Sequence, residues 1–372
     1  MDTITVEQFL ALPAGSYTAV DIRDETAFRY GSIENAVCIP YSELTANLSS
    51  LPRDKLIVLF CKSGIISEDA AHLLQEEGYN AVSLKEGYYG YMLASFDRNR
   101  EEAVKVEKSI QTVFHKELWS KFAAAIKKYE LIQEGDKIAV CMSGGKDSML
   151  MAKLFQEILR HGNLKFEAVY LVMDPGYSPE NRNIILKNLE RLNIPATIFS
   201  SDIFENVYGI EKSPCYICAR MRRGYLYSKA KELGCNKIAL GHHYDDVIET
   251  ILMGLLYGGQ MQTMMPKLKS TNFEGMELIR PMYLIREDDI IRWRDRNNLH
   301  FLQCACKFTD TCASCNPDNA SKRQEIKNLI REMKKTNPQV EKNLFKSVEN
   351  VNLDTLIAWK QKGTVTCFLD NY

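Results

Sequence analysis

Apolar residues along the chain fall into short runs whose spacing switches between two and about 3.6. Tyr17–Asp21, Leu56–Cys61 and Ala81–Leu84 read as strands, and Ser67–Glu77 has helical spacing. That alternation predicts a small α/β domain over residues 1–97. Asp97–Lys108 is charged and shows no apolar period, as expected of a linker or the exposed start of a helix. Helical spacing returns from Ile110 to Tyr129, so residues 98–130 read as a linker and the first helix of a second unit. Lys137–Cys141 is then a buried strand that runs straight into a glycine turn. Strands Glu167–Val172, Ala196–Phe199 and Lys237–Leu240 follow. Helices Met149–Arg160, Asn181–Leu192, Met221–Leu233 and Val247–Leu256 separate or follow them. The pattern predicts an α/β fold with a doubly wound parallel sheet over residues 131–345. Ser321–Trp359 is amphipathic and basic and reads as helical, with residues 346–372 as a C-terminal tail.

The length of 372 residues exceeds that of a usual single domain, and 45% hydrophobic with 26% charged residues suits a globular protein with a real core. No stretch of about 20 apolar residues occurs, and Met1 is followed by Asp2 and Glu7. A cytoplasmic protein without membrane span or export signal is expected. Eleven cysteines, several in C-x-x-C or C-x-C spacing, point to reduced thiols that bind metal or carry sulfur. The net charge of −1 conceals an asymmetry: residues 1–100 hold 8 Lys and Arg against 14 Asp and Glu, and the remainder holds 39 against 34. Basic runs at Arg220, Arg222, Arg223, Lys229 and Lys231, and from Lys322 to Lys335, could meet a nucleic-acid backbone or could be solvated helix faces.

The turn Ser143-Gly144-Gly145-Lys146-Asp147-Ser148 lies between a strand and a helix, where backbone N–H groups and a helix N-terminus suit an anion. It lacks the Walker A spacing. The full SGGKDS resembles the PP-loop of the N-type ATP pyrophosphatase superfamily, which adenylates an oxygen with ATP. The resemblance implies that Ser143, Gly144, Gly145 and Ser148 hold phosphates, that Lys146 adds a charge and that Asp147 helps place Mg²⁺. Asp174, at the end of a second strand, is a further candidate at the sheet's carboxyl edge, with a turn aspartate as the alternative.

Cys215 and Cys218 stand two residues apart just ahead of a helix, and Cys304, Cys306, Cys312 and Cys315 follow about 90 residues on. Spacing alone permits tetrahedral zinc. The runs CYICARMRRG from Cys215, KIALGHHYDD from Lys237, YGGQMQTMMPKL from Tyr257 and Arg280-Pro281 closely resemble the tRNA 2-thiocytidine synthetase family over about residues 108–345. That resemblance implies a [4Fe-4S] cluster on three cysteines, two of them Cys215 and Cys218. Counting from Arg280-Pro281 favours Cys304 or Cys306 as the third, and counting back from Lys322-Arg323-Gln324 favours Cys315; Cys306 is taken here. It also implies that Asp245 of the GHHYDD run faces the nucleotide or Mg²⁺, with helix capping as the alternative for Asp246.

Asp21-Ile22-Arg23, Tyr30–Ile33, Ile39-Pro40 and Leu59–Ser67 resemble a rhodanese domain over nearly all of residues 3–95. Cys61 would carry sulfur as a persulfide at the mouth of an N–H-lined loop. Lys62 and Ile66 replace the two arginines common in that loop, which leaves a scaffold role open. Cys38, Cys141, Cys235 and Cys367 read as structural. The expected activity is ATP-dependent thiolation of a tRNA pyrimidine at C2, with tRNA and a sulfur donor such as a cysteine desulfurase as partners and a homodimer as an open arrangement. A lysidine synthetase and a sulfur or iron-sulfur trafficking protein are the alternatives.

Overall fold

The computed structural model describes residues 3–13, 15–201, 203, 214–302 and 322–372, and the side chains of Cys215 and Cys218 fall outside that description. Two compact units result, Met1–Glu102 and Ala103–Tyr372. The first is built in the order β1 (Thr3–Ile4), α1 (Val6–Leu10), β2 (Tyr17–Asp21), α2 (Glu25–Tyr30), β3 (Val37–Cys38), β4 (Leu56–Phe60), α3 (Ile65–Glu76) and β5 (Ala81–Leu84). Its five strands form a wholly parallel sheet ordered β1-β5-β4-β2-β3. Successive side chains of β4 alternate between two cores, as a strand covered on both faces requires. Ile57 and Leu59 pack with Ala70 and Leu74 of α3, whereas Val58 and Phe60 pack with Val6, Phe9 and Leu84.

The helix α4 (Gly87–Gln111) spans the boundary between the units. The charged stretch, expected as a linker or the exposed start of a helix, therefore lies inside a helix. Among its described residues Ala103 and Val106 are the buried apolar positions, continued by Ile110, too sparse among charges to register as a period. Buried residues then recur every fourth position through Phe114, Leu118, Phe122 and Ile126, across a single π turn (His115–Trp119) and α5 (Ser120–Lys128).

The second unit continues with β6 (Lys137–Met142), α6 (Lys146–His161), β7 (Glu167–Asp174), α7 (Pro179–Arg191), β8 (Ala196–Ser200), α8 (Pro214–Glu232), β9 (Lys237–Ala239), α9 (Tyr244–Gly258), β10 (Lys267–Lys269), β11 (Glu277–Ile279), α10 (Glu287–Arg296), α11 (Lys322–Thr336) and α12 (Val340–Ser347). The sheet order is β10-β11-β9-β6-β7-β8, parallel throughout except for the short edge strand β10. From β6 the chain winds outward through β7 and β8, then returns to β9 on the other side of β6. That reversal places a crevice at the carboxyl ends of β6 and β9, where open α/β sheets bind ligands. On β6, Ile138, Val140 and Met142 pack against α6, and Ala139 and Cys141 pack against Tyr227 and Ala230 of α8.

Two expectations need correction. Helix α8 starts at Pro214, so Cys215 and Cys218 lie within a helix rather than ahead of one; proline suits the first helical turn because its missing N–H would find no partner there. The tail is helical only to Ser347. It ends in a hairpin, β12 (Ala358–Gln361) and β13 (Thr364–Cys367), turned by Lys362 and Gly363, both at positive φ (47° and 88°). Among the described residues no helix is long and apolar enough to cross a membrane.

Candidate functional site

The loop after β6 is held open by its own hydroxyls. Ser143 donates its backbone N–H to Ser148 Oγ at 3.2 Å, and that hydroxyl donates to the Gly145 carbonyl at 3.0 Å. Gly144 has φ +85°, and a Cβ there would come within 2.6 Å of Ile185 Cγ1, so only glycine fits without strain. Helix α6 begins at Lys146 and points its N-terminus at this loop. The second motif meets it directly: a Cβ on Gly241 would stand 3.3 Å from the Ser148 nitrogen, so the loop after β9 lies against the first turn of α6.

A cavity of about 770 Å³ opens beside the loop, lined by Ser143, Lys146 and Asp147 and by Glu287, Arg294 and Leu302. Lys146 Nζ lies 3.1 Å from Asp147 and 3.0 Å from Glu287. Burial opposes the Lys146 charge, but the two carboxylates outweigh it and raise its pKa. Glu287 is held down to about 2: burial pushes the other way, and hydrogen bonds from Lys327 and Lys146 prevail. Nearby, burial pushes His242 down to about 4 and Glu249 up to about 7, the latter despite Lys327 and Arg323.

Asp245 and Asp246 are already engaged. Asp245 accepts from Arg286 at 2.9 Å and from the Glu287 backbone N–H at 2.7 Å, so it ties α9 to the start of α10. Asp246, in the first turn of α9, accepts the His243 N–H at 3.0 Å and pairs with Arg323 at 2.7 Å. Asp174 accepts the N–H groups of Gly176 (2.9 Å) and Tyr177 (2.7 Å), the geometry of a turn aspartate.

In the first unit Cys61 follows β4 and is buried. Its sulfur accepts from the Gly64 N–H at 3.1 Å and the Ser67 hydroxyl at 3.5 Å. Burial would raise its pKa, but the Ser67 hydroxyl and the N–H groups of residues 63, 64 and 67 outweigh it and lower the thiol. Gly64 makes this turn at φ +94°, with no room for a Cβ against the Lys85 carbonyl at 1.9 Å. Asp21 is fully buried and receives Arg23 (2.6 Å) and Ser32 (2.6 Å).

The family model for a PP-loop domain matches residues 114–332, and that for a rhodanese-like domain matches residues 5–94. Three relatives bear the name tRNA-cytidine(32) 2-sulfurtransferase. That of Alkalilimnicola ehrlichii is 36% identical over 61% of this chain and 70% of its own length. Those of Geotalea daltonii and Coxiella burnetii are 34% and 35% identical, over 65% and 63% of this chain and 94% and 89% of theirs. This chain belongs to the PP-loop family of tRNA-cytidine(32) 2-sulfurtransferases. A solved structure, the U34-tRNA thiolase NcsA from Methanococcus maripaludis with its [4Fe-4S] cluster, aligns at TM-score 0.49 and 22% identity over 62% of this chain and 76% of that one, too distant to bear on chemistry.

Within this PP-loop sulfurtransferase, Ser143, Gly144, Gly145, Lys146, Asp147 and Ser148 come together at one carboxyl edge, with Asp245 nearby behind Arg286. Cys215 and Cys218 share the first turns of α8. Cys306, with Cys304, Cys312 and Cys315, lies outside the described residues. Sequence reasoning missed Glu287 and Arg286, and it noted Lys327 only within a basic run suited to a nucleic-acid backbone or a solvated face. No motif marks their place here, because α10 and α11 reach the site only through tertiary packing.

Proposed function

We infer that this protein thiolates tRNA in an ATP-dependent reaction. The loop Ser143–Ser148 at the crevice between β6 and β9, in a chain of this family, carries the reading. Its N–H groups and the α6 N-terminus suit the pyrophosphate part of ATP, Lys146 would supply a positive charge, and Asp147 would share a Mg²⁺ ion with the phosphates. The C2 oxygen of a cytidine attacks the α-phosphorus, the bond to the β-phosphate breaks, and pyrophosphate leaves. Sulfur at the oxidation level of sulfide then forms the C2–S bond as AMP departs. C2 is a poor electrophile with a poor leaving group, so activation is what ATP contributes.

Cys215 and Cys218, one helical turn apart, offer the soft thiolate pair that a [4Fe-4S] cluster takes, with Cys306 as the third proposed ligand. When bound, the cluster would supply an open iron that holds sulfur. Cys61, its thiol lowered by the Ser67 hydroxyl and loop N–H groups, suits a persulfide carrier loaded by a donor such as a cysteine desulfurase. Release of that sulfur as sulfide consumes two electrons from a thiol reductant. The test is product analysis with ATP, tRNA and sulfide. AMP and pyrophosphate are expected, lost in Ser143→Ala and Asp147→Ala with iron content unchanged; ADP as the product would refute adenylation.

A further inference from the structure

Glu287, in the lining of the PP-loop cavity, holds two ammonium groups, one from the lining and one from α11 behind it. Lys146 Nζ meets Glu287 Oε1 at 3.0 Å, and Lys327 Nζ, from α11, meets Oε2 at 2.9 Å. All three side chains keep 21–27% exposure, so none is sealed in the core. Lys327 has one other carboxylate near it among the described residues, Glu249 at 3.7 Å. Glu249 is buried and pushed up to about 7, so it offers incomplete neutralisation. The neighbouring Arg323 is spoken for by Asp246 at 2.7 Å. Asp147 and Glu287 thus have Lys146 and Lys327 as their cations, at the place where a polyphosphate would bring several negative charges. Without such cations Asp147 and Glu287 would repel it.

We propose that Lys327 is a second ammonium for the nucleotide's polyphosphate, parked on Glu287 until that anion enters beside the PP-loop. Its four-carbon stem allows the transfer by side-chain rotation alone. A charge-assisted contact of this kind is worth about tenfold or more in affinity. The alternative role, neutralising Glu287 and nothing else, makes an opposite prediction for the double variant.

This inference rests on the reading of the loop as an ATP site, and titration calorimetry on the full chain separates the two. The probes are α,β-methylene ATP with Mg²⁺, and adenosine. Lys327→Gln should weaken the ATP analogue about tenfold or more and leave adenosine unchanged, and Lys327→Arg should recover most of the loss. Lys327→Gln combined with Glu287→Gln should stay weak. Wild-type affinity in Lys327→Gln, equal loss for adenosine, or recovery in the double variant would overturn the role of Lys327 and leave the ATP site standing. Failure of the wild type to bind the analogue would overturn the ATP reading and this inference together.

Discussion

Glu249 gives the polar heart of the second unit a measurable signature. It is 2% exposed on α9, and burial pushes its carboxyl from 4.5 to about 7 although Lys327 and Arg323 pull the other way. Between those values the folded protein holds a proton that the unfolded chain has lost. Stability therefore falls as pH rises through this window and levels off above it. At 1.36 kcal/mol per unit, the shift amounts to roughly 3 kcal/mol. Glu249→Gln cannot ionise, so its unfolding free energy minus that of wild type should grow by about 2–3 kcal/mol from pH 5 to pH 8. Trp119, Trp293 and Trp359 all lie in the second unit, so tryptophan fluorescence during urea unfolding reports on that unit. A difference constant with pH to within about 0.5 kcal/mol would refute the reasoning and mean that Lys327 and Arg323 neutralise Glu249 fully.

Ser67→Ala should raise the Cys61 thiol pKa and slow its alkylation by iodoacetamide at pH 7, because the hydroxyl at 3.5 Å is a main stabiliser of the thiolate; an unchanged rate would assign the shift to the loop N–H groups. Asp136→Ala leaves Lys237, 2% exposed, without its 2.6 Å partner and should cost about 3–5 kcal/mol in denaturant unfolding. Asp245→Asn should lower the stability of the second unit by about 1–2 kcal/mol through Arg286 and the Glu287 N–H. Unchanged stability with weakened Mg²⁺-dependent nucleotide binding would make Asp245 a metal contact instead.

What could be read from the sequence was what local pattern encodes. The strands Tyr17–Asp21 and Ala81–Leu84 match residue for residue, because each is a short apolar run bounded by turn residues. The PP-loop was legible because its glycines answer a backbone need, as φ +85° at Gly144 demonstrates. Strands β10 and β11 escaped notice: three residues each give periodicity too little to act on. The hairpin at Lys362-Gly363 escaped because lysine is not the residue expected at positive φ. Asp245 and Asp174 show the harder limit. An aspartate bound to an arginine or closing a turn has the same letter and neighbours as one facing a ligand, and only the fold reveals its existing partners. Glu287 lines the site, and Lys327 reaches Glu287, through the packing of α10 and α11, which the basic run around Lys327 does not reveal.

The central claim is that this chain puts sulfur on a tRNA cytidine at the cost of ATP. The most direct measurement is mass spectrometry of nucleosides from tRNA of a strain lacking the gene, complemented with the wild type or with Asp147→Ala. The account predicts that a 2-thiopyrimidine nucleoside disappears in the deletion, returns with the wild type and stays absent with the variant. An identical thionucleoside profile in all three would contradict it and favour a protein that moves sulfur without modifying RNA.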